Sequence, residues 1–298
     1  MTGLREVAAV IGAHIVREGE FSSLGFLQHR WPGRLTFAES EEAVNRLGAA
    51  AGCSCVLTTE PLGSRVPRAL GVAVVASPRK AFFDLHEHLR RETSFYGSAG
   101  PTTIAGSARV HPLAFVAPSG VVIEEDVVIE PHATVFEGVT IGAGATIRAG
   151  VVLGAEGFQV TIEQGQVRRL SHAGGVRIGR NVEIQSNCCI DRALFGGLTM
   201  IGDDSTLDKL VYVAHHVTIG ARCRIGAGAM VTGSVTVGND VWVGPNATIR
   251  DGIVIGDGAQ VSLGSVVTQD VSARQRVTGN FAVSHEEFLA TLKGTRQG

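Results

Sequence analysis

Apolar positions in the second half of the chain keep a fixed beat. From Ile201 an aliphatic residue returns at every sixth place, through Leu207, Val213, Ile219, Ile225, Val231, Val237, Val243, Ile249, Ile255, Val261 and Val267. An amphipathic helix would repeat at three and four and a half-buried strand at two, so a period of six matches neither and instead fits one flat face of a triangular coil. Glycine often follows the aliphatic residue, as at Gly220, Gly226, Gly238, Gly244 and Gly256, and a small or β-branched residue tends to take the fifth place, as at Ala229, Val235, Ala247 and Ala259. The aliphatic side chain is expected inside a narrow prism, with the small residue beside the turn and glycine supplying the φ values of a tight corner. The pattern predicts a left-handed parallel β-helix, with three hexads per coil and coils stacked at about 4.8 Å.

The same beat is present earlier, at Ile104, Val110 and Val116, then after a one-residue slip at Ile123, Ile129, Val135, Ile141, Ile147 and Leu153, and again at Ile178, Ile184 and Ile190. Residues 154–177 break the phase and are polar, which predicts a loop extruded from a corner; loops of that length are frequently functional. Residues 1–100 lack the repeat and read as an α/β domain. Cys55–Thr59 and Val72–Ala76 are expected as buried strands, and Ser77-Pro78 opens a helix through Ala81–Glu92. The turn-prone Gly97–Pro101 is the expected linker to a β-helix domain over 101–280. In 281–298 a short C-terminal helix is expected, with Ser284 as its cap and Glu287 three residues on. The fold class is thus mainly β, with an N-terminal α/β domain.

Composition narrows the function. Among 298 residues, 26 Lys+Arg against 28 Asp+Glu leave a net charge of −2, which argues against the broad positive field of a nucleic-acid binder. The 39 glycines suit repeated tight turns. No apolar run approaches the length of a membrane span, and Glu6 and His14 interrupt the opening apolar stretch, so neither a membrane span nor a signal peptide is expected. The five cysteines, odd in number and without a C-x-x-C pair, suit a reducing compartment, and the chain reads as cytoplasmic.

Histidine is unusual in a repetitive scaffold and well suited to act as a general base near neutral pH, which singles out His215 and His216 in the run Val213–Val217. One coil beyond His215 comes Gly233, whose bare backbone would lie beside the imidazole and whose N–H could hold an oxyanion. Gly197, nominally one coil back, is a less secure neighbour because the phase slips between Ile190 and Ile201. Asp208 lies about one hexad earlier and could orient a histidine. The bland alternative is an exposed corner histidine among ordinary turns. A zinc site is disfavoured, since adjacent His215 and His216 should diverge, and His86 and His88 face different sides of one helix. Cys188 and Cys223 fall at the small fifth place and read as core.

With these features in view, the chain resembles the UDP-3-O-(3-hydroxyacyl)glucosamine N-acyltransferases of lipid A biosynthesis, the LpxD family, over about residues 15–280. The resemblance rests on Gly33–Phe37 (GRLTF), Gly154–Phe158 (GAEGF), Ile190–Arg192 (IDR) and Leu207–His215 (LDKLVYVAH). It implies a homotrimer with active sites between subunits, no bound cofactor or metal, an acyl thioester on a phosphopantetheine arm of acyl carrier protein, and a nucleotide-linked amino sugar as acceptor. It further implies His215 as base, Gly233 N–H as oxyanion donor, Phe37 stacked on uracil, and Phe158, Lys209 and His216 at the substrate. This sequence has Ser40 and Ala43 where the family has Asn and Tyr, Lys209 and His216 where it has Asn, and Asp251-Gly252 near a second family histidine. With the short tail, those departures keep open an acyl-CoA-dependent sugar N-acyltransferase of a polysaccharide or secondary-metabolite pathway. A non-catalytic β-helix trimer and a metal-dependent hydratase are the readings from other classes.

Overall fold

The computed structural model describes residues 1–163, 165–279 and 283–287. Residues 103–277 wind into a left-handed parallel β-helix whose three sheets hold eight, eight and nine short strands. The register is the hexad repeat made visible: Val213 pairs with Val231, Val231 with Ile249 and Ile249 with Val267, eighteen residues at each step. All twelve aliphatic residues of the unbroken run point inward and none exceeds 7% exposure. The fifth-place residues Ala229, Val235, Ala247 and Ala259 are buried with them, as are Cys188 and Cys223. Among the described residues, only the first coil, with no coil stacked below it, leaves its aliphatic residue Ile104 open. The slip before Ile123 is accommodated as a nineteen-residue step, with Ile104 paired to Ile123.

The glycines after the aliphatic positions do a different job from the one expected. The left-handed φ values fall two places later, at Gly228, Gly252, Gly258 and Gly264 but also at His216, Arg222, Ser234, Asp240 and Asn246. A Cβ on Gly226 would lie 2.6 Å from the backbone nitrogen of Pro245, and one on Gly244 would lie 2.5 Å from that of Leu263. These glycines are required because one coil crosses closely over the next, not because of their own φ.

Two interruptions emerge at one corner of the prism, on successive coils. Ile141 pairs with Ile178, and Ile178 with Ile201, so the steps there are 37 and 23 residues instead of eighteen. The longer excursion is not all loop, for it carries an antiparallel hairpin of Val160–Glu163 and Gln166–Arg169. The shorter one, between Asp191 and Leu198, presents Leu194 and Phe195.

The N-terminal part is a five-stranded sheet in the order His14–Arg17, Gly71–Val74, Cys53–Thr58, Arg34–Ala38, Ser23–Leu24, parallel except for the first pair. Both expected strands and the helix Pro78–Glu92 are present, together with the strand Arg34–Ala38 and the helices Leu4–Ile11 and Glu41–Leu47, which the hydrophobic pattern alone did not give. Its apolar core continues into the β-helix excursions through Leu170, Leu194 and Phe195. Phe195 is fully buried, with its ring centroid 5.1 Å from Phe26 and 5.3 Å from Phe82. The helix Pro78–Glu92 also grips the longer excursion: His86 Nε2–H donates to the Ser171 carbonyl at 2.8 Å, and Arg168 reaches Asp84 at 2.7 Å. At the C-terminal end, Ser284 Oγ accepts the Glu287 N–H at 3.2 Å, the cap expected there. The rest of the expected helix lies outside the described residues. No helix among the described residues is long and apolar enough to cross a membrane.

Candidate active site

His215 lies at the corner between strands Tyr212–Val213 and Thr218–Ile219, and the register stacks His215, Gly233 and Asp251 in one column. The contact between the first two is tight. A Cβ built on Gly233 would sit 2.7 Å from His215 Cε1 and 2.9 Å from its Nε2, so only glycine lets this backbone lie against the ring. Among the described residues the Gly233 N–H has no hydrogen-bond acceptor, while the Gly233 carbonyl accepts from Gly252 and the His215 carbonyl from Ser234. Burial pushes the His215 imidazole below its ordinary value, partly offset by the Asp251 carboxylate. A neutral ring follows at physiological pH, with a lone pair ready to take a proton. Nδ1 is buried without a hydrogen-bond partner among the described residues, which leaves Nε2 as the nitrogen open to a partner at the corner.

Three further histidines pack around it. His172, from the longer excursion, has its ring 5.7 Å from His215; His216 lies 5.6 Å away at right angles; and His29, from the N-terminal sheet, lies 4.9 Å from His216. Desolvation holds His29 at about 3 and His172 at about 4, and keeps His216 well below its ordinary value. These rings are therefore neutral packing partners, and among the described residues no three His, Cys, Asp or Glu side chains converge to hold a metal ion. Gly157 matters here too, because a Cβ on it would lie 2.9 Å from Asp191 Oδ2 and 3.0 Å from His172 Nε2.

A cleft of about 520 Å³ runs beside the corner, lined by Gln28, His29, Trp31, Arg46, His216 and Ser234 among others. A second, of about 410 Å³, holds Phe37, Ser40 and Arg79 and shares Leu27, Gln28 and Arg46 with the first. The two form one trough from Phe37 to His216.

The residues singled out from sequence divide accordingly. His215 and Gly233 are in contact, and His216 and Phe37 line the trough. Phe37 has Arg79 5.3 Å over its ring. Asp208 occupies the preceding corner, between Thr206–Leu207 and Tyr212–Val213, where its carboxylate accepts the Lys209 N–H and pairs with Lys209 Nζ at 3.6 Å. It is Asp251, not Asp208, whose charge acts on His215. Lys209 is engaged with Asp208, and Phe158, 86% exposed on the excursion, stands apart from the trough. One coil back from His215 the register gives Arg192 rather than Gly197, because the 23-residue step intervenes. His29 and His172 were not foreseen. Neither lies on the repeat, and the only signal was that one of them falls in the phase-breaking segment.

Residues 120–155, 199–233 and 234–269 match the bacterial transferase hexapeptide (six repeats) model. Those three stretches carry hexapeptide repeats of the kind that model describes. Over 147 residues, 48% of this chain and 45% of the other, this chain is 50% identical to a UDP-3-O-acylglucosamine N-acyltransferase from Verminephrobacter eiseniae. It is 33% identical over 147 residues to the protein of that name from Delftia acidovorans, covering 48% of this chain and 44% of that one. The Shewanella denitrificans protein of the same name is 43% identical over 83 residues, 28% of this chain and 24% of that one. This chain thus spans less than half the length of these curated relatives. A solved structure of UDP-N-acetylglucosamine acyltransferase from Campylobacter jejuni is 21% identical, with a TM-score of 0.45 over 65% of this chain and 83% of that one.

Proposed function

We propose that the chain is an N-acyltransferase that moves an acyl group from a phosphopantetheine thioester to the amine of a UDP-linked glucosamine, as in lipid A synthesis. The observation that carries this is the Gly233 backbone, bare and with a free N–H, held against the neutral imidazole of His215. Amide formation needs a base for the amine proton and a donor for the oxyanion, and this corner holds both. The sugar amine attacks the thioester carbonyl and the new C–N bond forms. His215 Nε2 takes the proton released by the nitrogen, and the tetrahedral oxyanion rests on the Gly233 N–H. The C–S bond then breaks, and the proton held by His215 goes to the departing sulfur, giving a free thiol. Atoms balance without a covalent enzyme intermediate or a bound cofactor. The names of the curated relatives support the acceptor, and the trough from Phe37 to His216 offers it a seat.

The reading includes a homotrimer in the cytoplasm, and apolar side chains that the prism turns outward, such as Met230, Trp242 and Val266, are the surface a trimer would cover. A mass-spectrometric transfer assay tests the proposal, with UDP-amino sugars offered alongside 3-hydroxyacyl carrier protein in one arm and short acyl-CoA in the other. Product on UDP-3-O-acylglucosamine from the carrier-protein arm supports lipid A synthesis, whereas product only from acyl-CoA moves the enzyme to another sugar pathway. Failure of transfer in both arms refutes the proposal.

A further inference from the structure

His29 and Trp31 of the N-terminal part both reach the β-helix corner, and the structure fixes the proton positions of His29. His29 is 6% exposed, and its Nδ1 lies 3.1 Å from the backbone nitrogen of Phe26. A backbone N–H can only donate, so Nδ1 must be the acceptor and the single ring proton must sit on Nε2. Nε2 is 2.9 Å from Ser234 Oγ, which therefore accepts from His29. Stacking on Trp31, with ring centroids 4.1 Å apart, holds the imidazole in that pose. Since Ser234 Oγ receives the histidine proton, its own hydroxyl proton has to point elsewhere. It has no acceptor among the described residues, and Ser234 forms part of the wall of the 520 Å³ cleft.

Ser234 directly follows Gly233 and adopts the left-handed φ of 60° that the corner demands. The cleft itself indicates what an aimed hydroxyl would meet. Arg30 and Arg46 line it without an ion pair among the described residues, beside Gln28, Thr218 and Thr236. Its single acid, Asp270, accepts the Val254 N–H at 2.8 Å. Two free guanidinium groups and several hydroxyls suit an oxygen-rich anion, and a sugar phosphate has that chemistry.

We propose that Ser234 is a specificity-determining contact for the acceptor, its hydroxyl proton aimed by His29 at an oxygen of a phosphorylated sugar in this cleft. The inference rests on the acyl-transfer reading for the identity of that sugar. His29 is then a positioning residue, acting through Ser234.

Calorimetric titration of UDP-glucosamine into the full chain tests it. Ser234→Ala and Ser234→Gly should each weaken binding about tenfold, the cost of one hydrogen bond to a polar ligand. The glycine variant relieves the positive φ, so its loss of affinity cannot come from a damaged fold. His29→Leu should match Ser234→Ala, and the His29→Leu/Ser234→Ala double variant should be no weaker than either single one. His29→Gln, which keeps an N–H near the Nε2 position, should restore binding to within about threefold of wild type. Unchanged affinity in both Ser234 variants overturns the proposal, as do losses that multiply in the double variant or a wild-type chain that does not bind the probe. The expected binding profile without acyl transfer in any arm would refute the acyltransferase reading and leave this one standing. Transfer together with an indifferent Ser234 would do the reverse.

Discussion

Replacing Gly233 with alanine adds one methyl group at the place where the molecule has least room for it. The new Cβ would lie 2.7 Å from His215 Cε1, 2.9 Å from Nε2 and 3.3 Å from Nδ1. Carbon atoms in ordinary contact are about 3.5–4.0 Å apart, so the ring has to retreat by roughly 0.8 Å or more. Gly233 is not among the glycines with positive φ, so alanine adds no backbone strain of its own and the imidazole bears the whole cost. Overpacking of this kind costs about 1–3 kcal/mol of stability, and a misplacement near 1 Å at a reacting group costs about 100-fold in rate. Both effects depend on the ring. In a His215→Ala background the space is open, and the same Gly233→Ala change should cost almost nothing in stability or residual turnover. The assay is a double-mutant cycle read twice, by urea denaturation and by acyl transfer. A Gly233→Ala variant with wild-type turnover, or one whose stability penalty persists after the imidazole is removed, would refute the tight approach and with it the oxyanion assignment.

Other consequences can be tested separately. His215→Ala alone should reduce turnover by about 10²–10⁴-fold while moving the melting temperature little, and undiminished turnover would remove the base assignment. Acid should destabilise the fold early. His29 and His172 stay neutral in the folded state down to about 3 and 4, whereas in the unfolded chain they take up protons below 6.5. Stability is therefore fully present above 6.5 and falls with pH below it, by about 1.4 kcal/mol per pH unit for each group. Urea midpoints measured at pH 7.5, 6.5 and 5.5 should show the drop between the last two, and a flat profile would refute the buried neutral pair. Phe195→Ala should cost about 3–5 kcal/mol, because a fully buried ring that plugs the N-terminal core is lost; a loss below 1 kcal/mol in a denaturant titration would mean that the plug is not structural.

The prism was legible because a repeat carries its own register. Once Val213 and Val231 are known to stack, His215 and Gly233 must as well, and no tertiary information is needed. Asp208 shows the limit of counting. A hexad of separation places a residue on the neighbouring corner, not on the neighbouring coil, so proximity in sequence did not become proximity in space. Gly197 failed for a related reason, since a five-residue insertion shifts every count that crosses it. His29 was beyond reach altogether. It meets Ser234 through a contact 205 residues apart in sequence, and neither the apolar pattern of QHRW nor any repeat predicts which corner the N-terminal sheet will cover. The corner glycines were assigned correctly by position and wrongly by cause, because one sequence cannot distinguish a glycine that needs its φ from one that needs its missing Cβ.

The aromatic plug has a consequence for the order of events during synthesis. Helices and strands of the N-terminal sheet are complete once residue 92 has been made, yet Phe195, which fills their core, follows about a hundred residues later. At roughly 5–20 residues per second, the sheet waits on the order of 5–20 seconds with Phe26, Phe82 and His86 lacking their shared partner. During that interval an early domain is committed to a surface that only the growing prism can cover. A nascent chain arrested before Phe195 should thus expose an aromatic patch to chaperones or to its neighbours, and one arrested after the excursion has wound into its coil should not.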